Sequence, residues 1–230
     1  MLHKSRGIAL SYVKYRESSI ITKIYTEAFG LQSYIINGIR SKRSKQKMGL
    51  YQSLSLLDMV IYHKDNGKIH RISEVRAAYP FQDLPFNMRK SGIALFLTEV
   101  LNKTLKEEVE NEALFAFLFE SIVALDQLTT GVENFHLRFL LTLSYYLGIA
   151  PDSAAALYEE THDQVHDAQM AKEEKKLITQ LMETGYDEPL QMSQAMRREI
   201  LITLLRFYRY HIESFGEVRS YEVLKTVMGA

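Results

Sequence analysis

The chain has 230 residues and a mass of 26.6 kDa, and its 47% hydrophobic and 24% charged content is ordinary for a globular protein and excludes a disordered polyelectrolyte. It contains no cysteine, which excludes disulfides, thiolate zinc sites and cysteine nucleophiles and makes a reducing cytoplasm the expected compartment. The net charge is zero, yet residues 1–80 carry 14 Lys and Arg against 5 Asp and Glu, whereas residues 81–230 carry 14 against 23. Charges of +9 and −9 on the two parts point to two surfaces with different partners. No apolar run approaches the roughly 20 residues that span a bilayer, and the opening Met1–Arg6 leads into too short an apolar run for a secretory signal.

In chain order, residues 6–13, 19–26, 31–36, 54–62 and 69–77 are predicted strands. They are rich in Ile, Val, Tyr and Thr, which suit a pleated surface. Phe29-Gly30, Asn37-Gly38 and Asp65-Asn66-Gly67 supply turns between them. Five short strands in about eighty residues predict a five-stranded OB-type β-barrel, because closure removes exposed edges. After Pro80 the apolar period becomes helical. Ile93, Leu97, Val100, Leu101 and Leu105 form one stripe; residues 111–128 and 132–147 form two more helices, and Gly148 and Pro151 end the second. Further helices are predicted near 170–184, 193–214 and 218–228. The expected architecture is α+β: an OB-fold DNA-binding domain over residues 1–80, then an α-helical bundle domain over residues 81–230.

The densest run of cations is Arg40-Ser41-Lys42-Arg43-Ser44-Lys45-Gln46-Lys47, on a loop or short helix after the third strand. Such a cluster neutralises phosphates and releases their counterions. Lys14, Arg16, Lys23, Lys64, Lys68, Arg71 and Arg76 widen the patch. Tyr12, Tyr15, Tyr25, Tyr34, Tyr51, Tyr62 and Tyr79 lie in the same part, and a strand-face tyrosine such as Tyr34 can stack on an unpaired base. The plainer alternative is a solvated basic loop with tyrosines packed in the barrel. Elsewhere, His162 and His166 have i, i+4 spacing, but Asp163 stands where a zinc protease has Glu and no third ligand is evident. Two surface histidines are the preferred reading there, so no metal and no cofactor are expected. The segment from Phe139 to Ala171 has no Lys or Arg and reads as an acidic solvated face or a dock for a basic partner. On the 193–214 helix, Arg198, Arg206 and Arg209 share one side, beside a stripe of Met196, Ile200, Leu204 and Phe207. That pairing suits capture of an acidic peptide. No phosphate-cradling glycine loop, nucleophile elbow or catalytic carboxylate pair is present, so no enzymatic activity is expected.

In this setting several segments resemble the RecO family of DNA repair and recombination mediators. They are Arg6-Gly7-Ile8-Ala9-Leu10, Tyr15 to Ile21, Tyr25 to Leu31, Asn37 to Lys42 and Tyr51 to Leu57. Phe135 to Phe139, Tyr146 to Asp152 and Ser220 to Leu224 continue the resemblance through the helical part. The variant is similar to those of Bacteroidetes-type bacteria. Ser153-Ala154-Ala155-Ala156-Leu157-Tyr158 stands where many members carry a cysteine zinc module. The resemblance implies binding of single- and double-stranded DNA, annealing of complementary strands, and, with RecR, loading of RecA onto strands coated by single-strand-binding protein (SSB), in the cytoplasm near the nucleoid. It also implies that the helical domain binds the acidic SSB tail, with Arg138 placed for the tail beside Phe135 and Phe139, and with Arg206 and Arg209 as further candidates. The competing classes are a protein interaction module that binds no nucleic acid and a metal-dependent hydrolase built on His162 and His166.

Overall fold

The computed structural model describes all residues except 40–44, 64–66, 107–108, 162–167 and 229–230, with 45–46 and 168–170 described by their backbone alone. The chain divides into two compact units, residues 1–85 with 97–123 and residues 86–96 with 124–230.

The first unit is built on five strands: β1 (Leu2–Tyr15), β2 (Ser19–Thr26), β3 (Gly30–Ile36), β4 (Leu56–Tyr62) and β5 (His70–Ala77). They close into a barrel in the order β1-β2-β3-β5-β4, antiparallel throughout except for the short parallel pairing of β3 with β5. This is the expected OB-type barrel. A short helix, α1 (Lys45–Met48), and a 3-10 turn (Gly49–Tyr51) connect β3 to β4. Alternation sets the faces. On β2, Ile20, Thr22 and Ile24 point inward and are fully buried, while Lys23 points out and is exposed. Ala9, Tyr34, Leu57, Met59 and Ile61 complete the core. Gly7 lies where any Cβ would come within 3 Å of the Met59 and Ile24 side chains, so the strand needs glycine there. Bulges at Leu10 on β1 and at Ser73 on β5, opposite Val60 and Ile61, let the strands bend around so small a barrel.

One end of the barrel is plugged by rings. Phe29 stacks on His63 at 4.0 Å, and His63 on His70 at 4.5 Å, with His3 and Tyr34 flanking. Part of the outer wall is covered by α3 (Glu112–Gln127), whose residues up to Val123 belong to the same unit. Tyr25 stacks on Phe115, and the Arg6 guanidinium lies over Phe115 and Phe119 while donating to both Glu27 carboxylate oxygens at 2.7 and 3.0 Å.

The second unit gathers the start of α2 (Met88–Thr104) with α4 (Phe135–Tyr146), α5 (Ala154–Thr161), α6 (Ala168–Glu183), α7 (Gln194–His211) and α8 (Tyr221–Val227). Helix α4 is central, and its residues from Phe135 to Leu141 are all buried. Polar bonds reach across this interior. Tyr208 donates to the Leu140 carbonyl at 2.7 Å, and Thr203 donates to buried Glu174 at 2.6 Å. No helix among the described residues is long and apolar enough to cross a membrane.

Candidate nucleic-acid interface

The outward face of the barrel is divided by its own chemistry. Some of its cations are paired: Arg6, under α3, with Glu27, and exposed Arg76 with Asp58 at 3.0 Å. Elsewhere on it, Lys23 on β2 and Arg71 on β5 are exposed; Lys14, the cross-strand partner of inward Ile20, is exposed where the end of β1 leaves the core, and no ion pair to these three occurs among the described residues. Register brings Lys23 and Arg71 near one another. Ile21 of β2 faces Ile35 of β3, which faces Arg71 of β5, and Lys23 lies one pleat along from Ile21. With strands roughly 4.8 Å apart, β2 and β5 are about 10 Å from each other across this face. Arg16 sits in the β1–β2 turn at φ 51°, its guanidinium 5.3 Å from the Tyr15 ring. Lys68 lies exposed in the β4–β5 connection. The β2–β3 surface with these two connections is the part of an OB barrel that takes oligonucleotides.

The structure brings Lys23 and Arg71 to this side of the barrel, with Lys14 and Arg16 at the adjoining end of β1 and its turn, but places other candidates elsewhere. Tyr34 is 0% exposed, its ring in the barrel core beside His70 and its phenol held above the usual range by burial. The expectation that it stacks on bases is therefore corrected: it faces inward on a strand whose opposite face is the outer one. Lys47 is exposed on α1, while Arg40, Lys42 and Arg43 and the side chain of Lys45 lie outside the described residues. His162 and His166 lie outside them as well; among the described residues no group of three or more His, Asp or Glu is arranged to hold a metal ion.

The expected peptide site around Arg138 also needs correction. Phe135 and Phe139 are fully buried, Phe135 stacking on Tyr186 at 4.3 Å. Arg138 is 2% exposed and donates to Thr184 Oγ1, to the Tyr186 carbonyl and to the Glu188 carbonyl, the last at 2.8 Å. Four of its five N–H donors hold the α6–α7 connection onto α4, and its burial keeps a carboxylate from outside away from it. Arg206 and Arg209, by contrast, are exposed and line an opening of about 530 Å³ with Ile202, Leu205, Val218 and Arg219. Arg209 Nε donates to the Gly216 carbonyl at 3.1 Å. Sequence reasoning missed a second, mostly apolar cavity of about 310 Å³ among α4, α7 and α8, lined by His136, Arg197, Arg198, Leu201, Tyr221 and Leu224. The i, i+3, i+4 recurrence of Gln194, Arg197, Arg198 and Leu201 against Tyr221, Leu224, Lys225 and Met228 is the signal that would have found it. There Arg198 donates to the Tyr221 hydroxyl at 3.1 Å.

Comparison with known families agrees with this division of the chain. Residues 1–81 match the family model described as recombination protein O N terminal, and residues 85–220 match recombination protein O C terminal. Proteins named DNA repair protein RecO are similar along nearly their whole length. The one from Phocaeicola vulgatus is 35% identical and that from Bacteroides fragilis 34%, each over 98% of both chains. The one from Flavobacterium johnsoniae is 31% identical over 97% of this chain and 98% of its own. With both family models covering most of its residues, a closed OB-type barrel ahead of a helical part, and no cysteine, this chain belongs to the recombination protein O (RecO) family, in a form close to those of Bacteroidetes.

Proposed function

We propose that the chain is a recombination mediator in DNA repair that works by binding and not by bond chemistry. Its barrel holds DNA phosphates on the bare outer face through Lys14, Arg16, Lys23 and Arg71, together with the basic run Arg40, Lys42, Arg43, Lys45 and Lys47. The observation that carries this reading is the sorting of cations: Arg6 and Arg76 are neutralised by Glu27 and Asp58, whereas Lys14, Lys23 and Arg71 meet no carboxylate among the described residues. Cations that meet no carboxylate remain available to a polyanion. Complementary strands anneal on such a surface because bound cations reduce their mutual repulsion. Acting with RecR in the cytoplasm, the protein then assists loading of RecA on SSB-coated strands. The exposed Arg206 and Arg209, beside Leu205 and Val218, are the residues proposed to take the acidic SSB tail, pairing its carboxylates while an apolar side chain enters the opening.

Fluorescence anisotropy with a labelled single strand and a labelled duplex tests the DNA arm. The Lys14→Glu/Lys23→Glu/Arg71→Glu variant is expected to lose at least tenfold in affinity for both at low salt, whereas Arg76→Glu, which reverses an already paired cation, changes little. Equal losses from both variants would remove the bare face from consideration as the DNA site. Binding of an SSB-tail peptide that survives Arg206→Glu/Arg209→Glu would remove that opening.

A further inference from the structure

The cavity of about 310 Å³ among α4, α7 and α8 lies wholly within the second unit, and none of the residues assigned above to DNA or to the SSB tail lines it. Its chemistry follows from helix spacing. On α7, Gln194, Arg197, Arg198 and Leu201 share a face, and on α8 Tyr221, Leu224, Lys225 and Met228 do the same. Each face brings apolar groups and cations to the cavity together, and no carboxylate lines it. The cations differ in what they have left to donate. Arg197 gives Nε to the Asn134 side-chain oxygen at 2.9 Å and an Nη2 proton to the Met192 carbonyl, and Lys225 is paired with Glu222 at 3.0 Å. Arg198 is exposed and gives only Nε, to the Tyr221 hydroxyl at 3.1 Å; its two terminal nitrogens have no partner among the described residues. On the α4 wall stands His136, 1% exposed, its Nδ1 buried, with no hydrogen bond to its ring among the described residues. Buried polar groups are nearly always hydrogen-bonded, so an imidazole in this state at a cavity wall marks a place for a ligand atom.

We infer that this cavity binds a small organic acid: an aromatic ring among α4, α7 and α8, a carboxylate on the free edge of Arg198 and a hydroxyl against His136. Volume sets the size. Ligand sites run from roughly 300 to 1,000 Å³, so a cavity at the lower end takes one ring and a short chain, whereas a peptide needs more. The walls set the body. They include Leu201, Leu224, Met228 and the Tyr221 ring, and a thioether and an aromatic ring both favour an aromatic guest. The free guanidinium edge sets the head group, since a planar fork of N–H donors matches a carboxylate bidentately. One such edge suits a single negative charge. His136 sets the far end. A neutral imidazole has one donor nitrogen and one acceptor nitrogen, and a phenol hydroxyl serves either. Burial keeps this imidazole neutral, so it hydrogen-bonds a hydroxyl and does not compete for the carboxylate.

The test involves no DNA, so this site and the proposed role stand or fall separately. The full-length chain is titrated with 3-(4-hydroxyphenyl)propanoate and followed by calorimetry. With about twelve non-hydrogen atoms, the probe is expected to bind with a Kd of about 1 mM or tighter. Removing the charge of the probe as its methyl ester, or replacing its partner by Arg198→Gln, is expected to weaken binding about tenfold in each case. Ala195 is an exposed lining residue, and Ala195→Trp is expected to fill the mouth and abolish binding with no loss of thermal stability. His136→Phe keeps a ring in place without its nitrogens, and is expected to erase the preference for the hydroxylated probe over 3-phenylpropanoate. Should His136→Phe not fold, the Arg198 and Ala195 variants, both at exposed positions, carry the comparison. No binding by wild type at millimolar probe overturns the site, as does binding that survives both Arg198→Gln and Ala195→Trp. An acidic peptide that displaces the probe and binds about a hundredfold more tightly overturns the small acid in favour of a peptide.

Discussion

His136 is a base kept neutral by its surroundings. It is fully buried on α4, and burial, helped by the nearby Arg197 guanidinium, pushes its pKa down from 6.5 to about 3. In the unfolded chain the same imidazole takes up a proton as pH falls below 6.5, so the unfolded state binds more protons and stability is lost between about pH 6.5 and pH 3. At pH 5 the loss from this one group is about 2 kcal/mol, at 1.36 kcal/mol per pH unit. The His136→Gln variant is expected to show a smaller drop in urea midpoint between pH 7 and pH 5 than wild type; parallel drops would mean that the site does not exclude the proton. Two residues on, Arg138 has the opposite requirement. Its charge is buried, which lowers its pKa, while the carboxylates of Glu188 and Asp187 act to raise it. Arg138→Lys removes the planar fork that serves Thr184 and Glu188 together, and the expected cost is about 2–4 kcal/mol, read from urea unfolding. Neither role was legible beforehand. An arginine and a histidine within an apolar helix look the same in sequence whether they face a pocket or a neighbouring loop. Phe135-His136-Leu137-Arg138-Phe139 is buried on every side and so shows no preferred face.

Among the elements, strands were easier to read than their faces. All five strands stand where their Ile, Val and Tyr content placed them, but β1 begins at Leu2, four residues before the apolar run, because pairing with β4 through Tyr62 extends it. The segment of β3 from Leu31 to Ile36 has no clean alternation, so nothing local told that Tyr34 points inward. Helix α5 was missed altogether. Ser153-Ala154-Ala155-Ala156 was read only as a stretch standing in place of a cysteine module. Yet Ser153 Oγ accepts from the Ala156 N–H at 3.1 Å, an N-cap in front of three good helix formers. Ser193 does the same for α7, accepting from the Met196 N–H at 3.1 Å. Helix α7 carries Arg206 and Arg209 and lines the two openings described above, so its start matters beyond local stability. Ser193→Ala is expected to cost about 1 kcal/mol, and Ser193→Asp to restore it. Thermal unfolding of the three proteins checks this, and an alanine variant as stable as wild type would show that the cap is not what holds this end.

At the scale of the molecule, the unequal charge of the two parts was visible without any structure, but its availability was not. Arg6 and Glu27 are 21 residues apart and meet only because the β1–β2 register sets Gly7 against Thr26; Asp58 and Arg76 meet through the pairing of β4 with β5. These pairs remove cations from any count of phosphate contacts. A tally of the 14 basic residues in the first eighty therefore overstates the charge that DNA would meet. The dependence of binding on salt measures the usable remainder, since each neutralised phosphate of a single strand contributes roughly −0.7 to the slope of log K against log salt concentration. Lys14, Lys23 and Arg71 together account for a slope of about −2, and reversing all three is expected to flatten it by that amount. Arg76→Ser removes a cation already matched by Asp58 and should leave the slope where it was. If Arg76→Ser flattened the slope as much as one of the bare-face substitutions, the paired cations would be drawn to DNA as readily as the unpaired ones. The sorting of charge by the barrel register would then have no bearing on where the strand lies.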